Sequence, residues 1–200
     1  MKHILCDVDG VVVHGFHYNP ARQVSWMTDL KEDLGICPKE FEQKFFFDLF
    51  PDVVVGKVPV ELALAKVLPE VGFVGNPEDV ISYWLQKDAC INHDFLDWVD
   101  KNSGENQQFY LATNQEHRRA DYLWNNMDLK SWFLNMFYAA DIGYKKPDIE
   151  FFDYVIEALQ VDPCDIVLID DHPKNIEVAR SLGMSGIVFN DMSDIVDLSF

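Results

Sequence analysis

The sequence predicts an α/β fold: a doubly wound, Rossmann-like parallel sheet with an inserted α-helical block. Three observations carry this expectation. From Gln107 onward, short apolar runs alternate with helix-period segments, which is the pattern of a parallel sheet wound by crossover helices. Between Tyr18 and Gln107 strand-like runs are nearly absent, and helix-like stretches follow one another. The first strand candidate opens the stretch Ile4 to Val13, which reads ILCDVDGVVV, and sets two carboxylates, Asp7 and Asp9, at the end of an apolar run.

In chain order, the Ile4 run is bounded by Gly10 and reads as a buried strand. A Gly/His/aromatic segment, His14 to Asn19, leads into the helical block. Pro20 to Leu34 places Val24, Met27, Leu30 and Leu34 at helical spacing, with Gly35 as a stop. Pro38 to Phe50, Pro59 to Leu68 and Pro77 to Lys87 each open with proline, which suits a first helical turn. A further helix is expected over His93 to Lys101. Phe109 to Thr113 then reads as a strand, Gln115 to Asn126 as a helix, and Met136 to Ala139 as a short strand before the loop Asp141 to Pro147. The last elements are a helix over Asp148 to Leu159, a strand over Ile166 to Ile169, a helix over Pro173 to Leu182 capped by Gly183, and a strand over Gly186 to Phe189.

This order brings chemistry to one edge. Ligand-binding residues in such sheets sit at the carboxyl ends of the strands. Three strand candidates end in Asp7/Asp9, Thr113/Asn114 and Asp170/Asp171, and a fourth leads to a loop with Lys145 and Lys146. Buried carboxylates need a cation, hydrogen bonds or a proton. Several of them beside a Lys and a Thr call for a divalent cation, and Mg²⁺ takes oxygen ligands and is commonly shared with a phosphate.

Composition narrows the partners. With 16 Lys and Arg against 34 Asp and Glu, the net charge is −18 and the pI about 4.4. That field disfavours nonspecific contact with nucleic acid or an anionic membrane, and an anionic substrate would need local cations or a metal. No stretch approaches the roughly 18 apolar residues of a membrane span. The amino-terminal run does not read as a signal peptide, so the expectation is a cytoplasmic protein. Its four scattered cysteines, Cys6, Cys37, Cys90 and Cys164, are expected to be free buried thiols. A Walker loop is absent, and oligomeric state is not indicated.

Four sequence elements together resemble the haloacid dehalogenase-like hydrolase superfamily, in the subfamily with a helical (C1-type) cap. They are Asp7-Val8-Asp9-Gly10-Val11, Leu111-Ala112-Thr113-Asn114, Lys146-Pro147-Asp148, and Ile169 to Asn175 followed by Ala179 to Met184. The resemblance implies a core over 1–15 and 92–200 and a cap over 16–91. It implies Asp7 as the nucleophile and Asp9 as the proton donor and acceptor. Thr113, Asn114 and Lys146 would hold the phosphoryl oxygens. Asp7, the Asp9 carbonyl and Asp171 would hold Mg²⁺, supported by Asp170 or Asn175. The namesake dehalogenases generally lack an acid at the second position, so Asp9 favours phosphoryl transfer. The implied activity is a Mg²⁺-dependent phosphatase for a small phosphorylated metabolite. A phosphomutase or a noncatalytic binding protein on the same scaffold are the alternatives. A receiver domain shares the acidic cluster, Thr and Lys, but its acidic pair precedes its Lys, whereas Asp170-Asp171 follow Lys146.

Several other residues read as structural. Arg118 and Arg119 are expected on a solvated helix face, and the aromatic residues Phe45, Phe46, Phe47, Phe50, Trp84 and Trp98 in the core of the cap. Lys57 is a lesser candidate for substrate contact, and His14 and His17 read as flap residues near the first strand.

Overall fold

The computed structural model describes residues 1–196. Strand β1 (Lys2–Cys6) is followed by β2 (Val13–His14) and then by the helices α1 (Leu30–Leu34), α2 (Pro38–Phe41), α3 (Phe50–Val53), α4 (Val60–Val67) and α5 (Pro77–Lys87). The chain returns through β3 (Cys90–Ile91), α6 (His93–Asn102), β4 (Gln107–Thr113), α7 (His117–Asp121), β5 (Met136–Tyr138), α8 (Ala139–Ile142) and α9 (Ile149–Leu159). It ends with β6 (Ile166–Asp170), α10 (Pro173–Ser181) and β7 (Ser185–Val188). Five strands form a parallel sheet in the order β5-β4-β1-β6-β7, and β2 pairs antiparallel with β3.

The sheet is buried on both faces because its strands are apolar at odd and even positions alike. Ile4 and Cys6 of β1, Phe109 and Leu111 of β4, and Val167 and Ile169 of β6 pack with Phe95, Trp98 and Val99 of α6. Leu5, Tyr110, Ala112 and Leu168 face the other way, onto Phe151, Phe152 and Val155 of α9 and Ile176 and Ala179 of α10. The helices inserted between β2 and β3 bury a core of their own, which includes Phe41, Phe45, Leu64, Val80 and Ile81.

Four local expectations change. Strand β1 stops at Cys6, so Asp7 and Asp9 lie just beyond the strand and not within a strand that runs to Gly10. Gly10, at φ +78°, and the bonds from Gly10 N to Val13 O and from Val13 N to Val8 O close a turn that buries the valines without extending the sheet. The expected helix over Pro20 to Leu34 survives as one 3₁₀ turn, Pro20–Arg22, and the five-residue α1, because Gln23 is extended (ψ 132°). The segment Pro38 to Phe50 opens as α2 and widens into a π turn over Glu42–Phe47, and Pro51 sits in the first turn of α3 instead of stopping a helix. All four cysteines are free, but only Cys6 is fully buried, while Cys90 and Cys164 are exposed.

Candidate active site

Strands β1, β4 and β6 are neighbours, with Cys6 paired to both Leu111 and Ile169, so Asp7, Thr113 and Asp170-Asp171 emerge side by side at their carboxyl ends. Gly10 makes this approach possible. It holds a positive φ, and a Cβ there would fall 2.7 Å from Asp171 Oδ2, so any side chain at this position would be strained. Lys146 reaches the group from the loop after α8. Its backbone N–H donates to Asn114 Oδ1 (2.8 Å), and its carbonyl accepts from Asn114 Nδ2 (2.9 Å). Asn114 thereby clamps the lysine backbone with its side chain.

The Lys146 ammonium lies 3.0 Å from Asp7 Oδ2 and 2.6 Å from Asp170 Oδ2. Burial would lower its pKa, but Asp170 and Asp7 outweigh that and hold it above the ordinary value, so the lysine stays charged. Asp7 is the opposite case. Burial pushes its carboxyl well above the usual range against the pull of Lys146, and the neighbouring carboxylates add to the rise. Asp171 is raised to about 6, chiefly by burial. The cluster holds more negative charge than Lys146 alone can balance.

Carboxylate oxygens of Asp7, Asp170 and Asp171 lie within 4.8 Å of one another. Asp170 already accepts from the His172 N–H, from Lys146 Nζ and, at both oxygens, from Asn175 Nδ2. Those four contacts occupy its acceptor capacity, which leaves Asp7 and Asp171 as the open carboxylates. Asn175 Oδ1 is buried without a hydrogen-bond partner, an acceptor suited to a cation-bound water. An all-oxygen set of this kind fits a small hard cation.

Asp9 is held differently. Arg119 grips it in a bidentate pair, at 2.8 Å to Oδ1 and 3.0 Å to Oδ2, and Gln115 Nε2 donates to Oδ2 at 2.7 Å. Arg119 is 2% exposed, not on a solvated face, and also meets Asp88 Oδ2 at 3.0 Å. Burial raises the Asp88 carboxyl against the opposing charge of Arg119. Asp88 closes α5, so one guanidinium ties the last inserted helix to the Asp9 turn. Arg118 does face outward, where it pairs with Glu61 and Glu78 of the inserted helices.

The flap expected near His14 and His17 closes on Asp171, whose Oδ2 accepts the Tyr18 N–H at 2.6 Å. His17 Nδ1 lies 3.3 Å from the same oxygen, but burial depresses its pKa and Nδ1 accepts from the Asn19 N–H, so this is no ion pair. Lys57 pairs with Asp52 at an exposed position. Arg119, Gln115 and Asp88 carry no motif. Arg119 shows in sequence only as one of two adjacent arginines, and its partners lie far away along the chain.

Asp7, Asp9, Thr113, Asn114, Asp171 and Asn175 open onto a cavity of about 360 Å³. Its other wall is aromatic. Phe46, Phe47, Phe50 and Trp84 line it, whereas Phe45 lies in the core of the insertion and Trp98 under the sheet.

The model of the haloacid dehalogenase-like hydrolases matches residues 1–183. The chain belongs to that family. Sesquiterpene phosphatase astK of Aspergillus oryzae is 24% identical over 199 residues, covering 95% of this chain and 90% of that protein. Flavin mononucleotide hydrolase 1 of Arabidopsis thaliana is 36% identical over 76 residues, 38% of this chain and only 31% of the relative. Among solved structures, a haloacid dehalogenase-family enzyme from Bacteroides thetaiotaomicron, crystallised as a magnesium complex, superposes with a TM-score of 0.81 at 21% identity and covers 99% of both chains. That likeness shows the fold. Among the described residues no helix is long and apolar enough to cross a membrane.

Proposed function

We propose that this hydrolase is a Mg²⁺-dependent phosphatase that cleaves a small phosphorylated metabolite through a phosphoryl group carried on Asp7. The observation that carries the reading is the buried Asp7 carboxylate facing a cavity beside a charged lysine and a second open carboxylate, Asp171. The names of the two relatives, a sesquiterpene phosphatase and a flavin mononucleotide hydrolase, agree with it. Asp7, the Asp9 carbonyl and Asp171 would hold Mg²⁺, with Asn175 and Asp170 behind them. When bound, the ion offsets the charge of the carboxylates and the phosphoryl group together.

Asp7 attacks phosphorus, the bond to the leaving oxygen breaks, and Asp9 passes a proton to the departing alkoxide. Water then attacks the phosphoryl-aspartate, Asp9 takes its proton, and inorganic phosphate leaves Asp7 as it began. Lys146 has spent two of its three N–H donors on Asp7 and Asp170; the third is free for a phosphoryl oxygen. Thr113 and the Asn114 N–H complete that grip. To carry that proton Asp9 must free one oxygen from its bidentate contact with Arg119, which makes Arg119 the residue that positions the Asp9 side chain.

A phosphomutase needs a second phosphate site, and among the described residues that line the cavity from Phe16 to Trp84 there is no Lys or Arg for one. The test is turnover of p-nitrophenyl phosphate. Asp7→Asn should abolish it in a folded protein, and EDTA should abolish it in the wild type until Mg²⁺ is restored. Undiminished turnover after either treatment would refute the reading.

A further inference from the structure

Resting on the phosphatase reading, we infer that the leaving alcohol is a hydrocarbon: the substrate is the monophosphate ester of an apolar alcohol rather than of a sugar or a nucleoside. The cavity has a polar floor, formed by Asp7, Asp9, Thr113, Asn114, Asp171 and Asn175. Opposite it stand Phe16, Trp26, Phe46, Phe47, Phe50 and Trp84. These rings form a standing wall: Phe46 touches Phe50, Trp84 and Trp26, and Trp84 in turn stacks on Trp26.

The chemistry of that wall disfavours anionic and hydroxyl-rich groups. From Phe16 to Phe50 it has one charged side chain, Glu42, and no cation, with Gln23 and Ser25 as its neutral polar members. A second phosphate or a carboxylate would meet Glu42 without compensation. Each buried sugar hydroxyl would need a hydrogen-bond partner, and an unpaired one is costly. Of the two cations at the floor, Lys146 keeps one donor, which the reacting phosphoryl group takes, and Arg119 is committed to Asp9 and Asp88.

The exposed residues point the same way. Phe16 is 59% exposed, Val24 54% and Phe47 65%, and all three line the same cavity. Large apolar side chains gathered at the mouth of a cleft that ends in reactive carboxylates mark a binding surface. A hydrocarbon lying along the wall would cover them and keep water from the phosphoryl group.

The test uses primary alkyl monophosphates from ethyl to octyl, whose leaving groups are chemically alike, with glycerol 3-phosphate and glucose 6-phosphate as polar primary esters. The value of kcat/KM should climb by up to about fourfold per methylene while each is fully buried, and octyl phosphate should exceed both polar esters. Citronellyl phosphate and 2-naphthylethyl phosphate distinguish a flexible chain from a ring, and either one outrunning glucose 6-phosphate supports the inference. Phe47→Ser, at an exposed position, and Phe50→Ala should each flatten the chain-length slope, with thermal melting as the control for folding. A flat series with Asp7-dependent turnover, faster cleavage of glucose 6-phosphate, or an unchanged slope in both variants would overturn the inference while leaving the phosphatase reading intact. Turnover of none of the esters, p-nitrophenyl phosphate included, would overturn both.

Discussion

On the core side of the cavity Asp7, Lys146, Asp170 and Asn175 hold one another through polar contacts of 2.6–3.0 Å. On the inserted side Trp26, Phe46, Phe50 and Trp84 meet through ring contacts with centroids 5.2–6.2 Å apart. Charge-assisted hydrogen bonds are directional, and removing one partner strands the other. Hydrophobic and dispersion contacts are shared among many atoms and have no preferred direction. The floor should therefore fail at single substitutions, and the roof should change by degrees.

Asp9→Asn tests the floor and has the largest expected effect among the three positions Asp9, Arg119 and Arg118. An acid that protonates a poor leaving group contributes roughly 10²–10⁴-fold, so kcat/KM for an alkyl monophosphate should fall by that amount. The loss should be much smaller for p-nitrophenyl phosphate, whose leaving group needs little protonation. Equal losses on the two substrates would make Asp9 a support for Arg119 and not a proton donor.

The floor was readable in the sequence because its residues occupy strand ends, where the order of elements alone brings Asp7, Thr113 and Asp170-Asp171 to one edge. Lys146 was readable by its spacing from them. The roof was not, because an aromatic run looks the same whether a ring ends in the core or at a cavity: Phe45 and Phe46 are adjacent, and only Phe46 lines the cavity. An apolar run reports burial, not strand. Val8, Val11, Val12 and Val13 are buried in a turn that one left-handed glycine creates. Val24 and Met27 have helical spacing, yet they line the cavity from a loop and the turn that follows it, before α1 begins. Arg119 was misread because the carboxylates that bury it, Asp9 and Asp88, come from two other elements.

At the seam between floor and roof, Arg119→Ala should have the next effect. It would leave Asp9 and Asp88 without their shared cation, and Asp88 is mostly buried. Breaking a buried pair costs roughly 3–5 kcal/mol. Asp9 keeps about a quarter of its side-chain exposure, which places the expected loss near ~3 kcal/mol, read as a lower midpoint in urea unfolding. Arg119→Lys keeps the charge but not the two-pronged geometry and should fall between. A loss of about 0.5 kcal/mol or less, the range of an ordinary surface substitution, would mean that Arg119 is not what joins the last inserted helix to the Asp9 turn.

Arg118→Ala gives the smallest effect and isolates what burial adds, since Arg118 is the next residue and also bridges to the inserted helices. Its partners Glu61 and Glu78 are 41% and 46% exposed at the side chain, and Arg118 itself 39%. Contacts of 2.6 Å to each glutamate would suggest strength if distance alone decided it. Solvent decides otherwise, because pairs at such exposure contribute about 0–1 kcal/mol and are screened by salt. For a chain of this size about 1 kcal/mol corresponds to roughly 2–4 °C in Tm, so Arg118→Ala should lower Tm by no more than that, and by less in 0.5 M NaCl. Gly56 against the Ala140 carbonyl, a contact that any Cβ would block, remains to seat the inserted helices on the core without it. A drop as large as that of Arg119→Ala would show that the two arginines share the anchoring, and that exposure does not separate their roles.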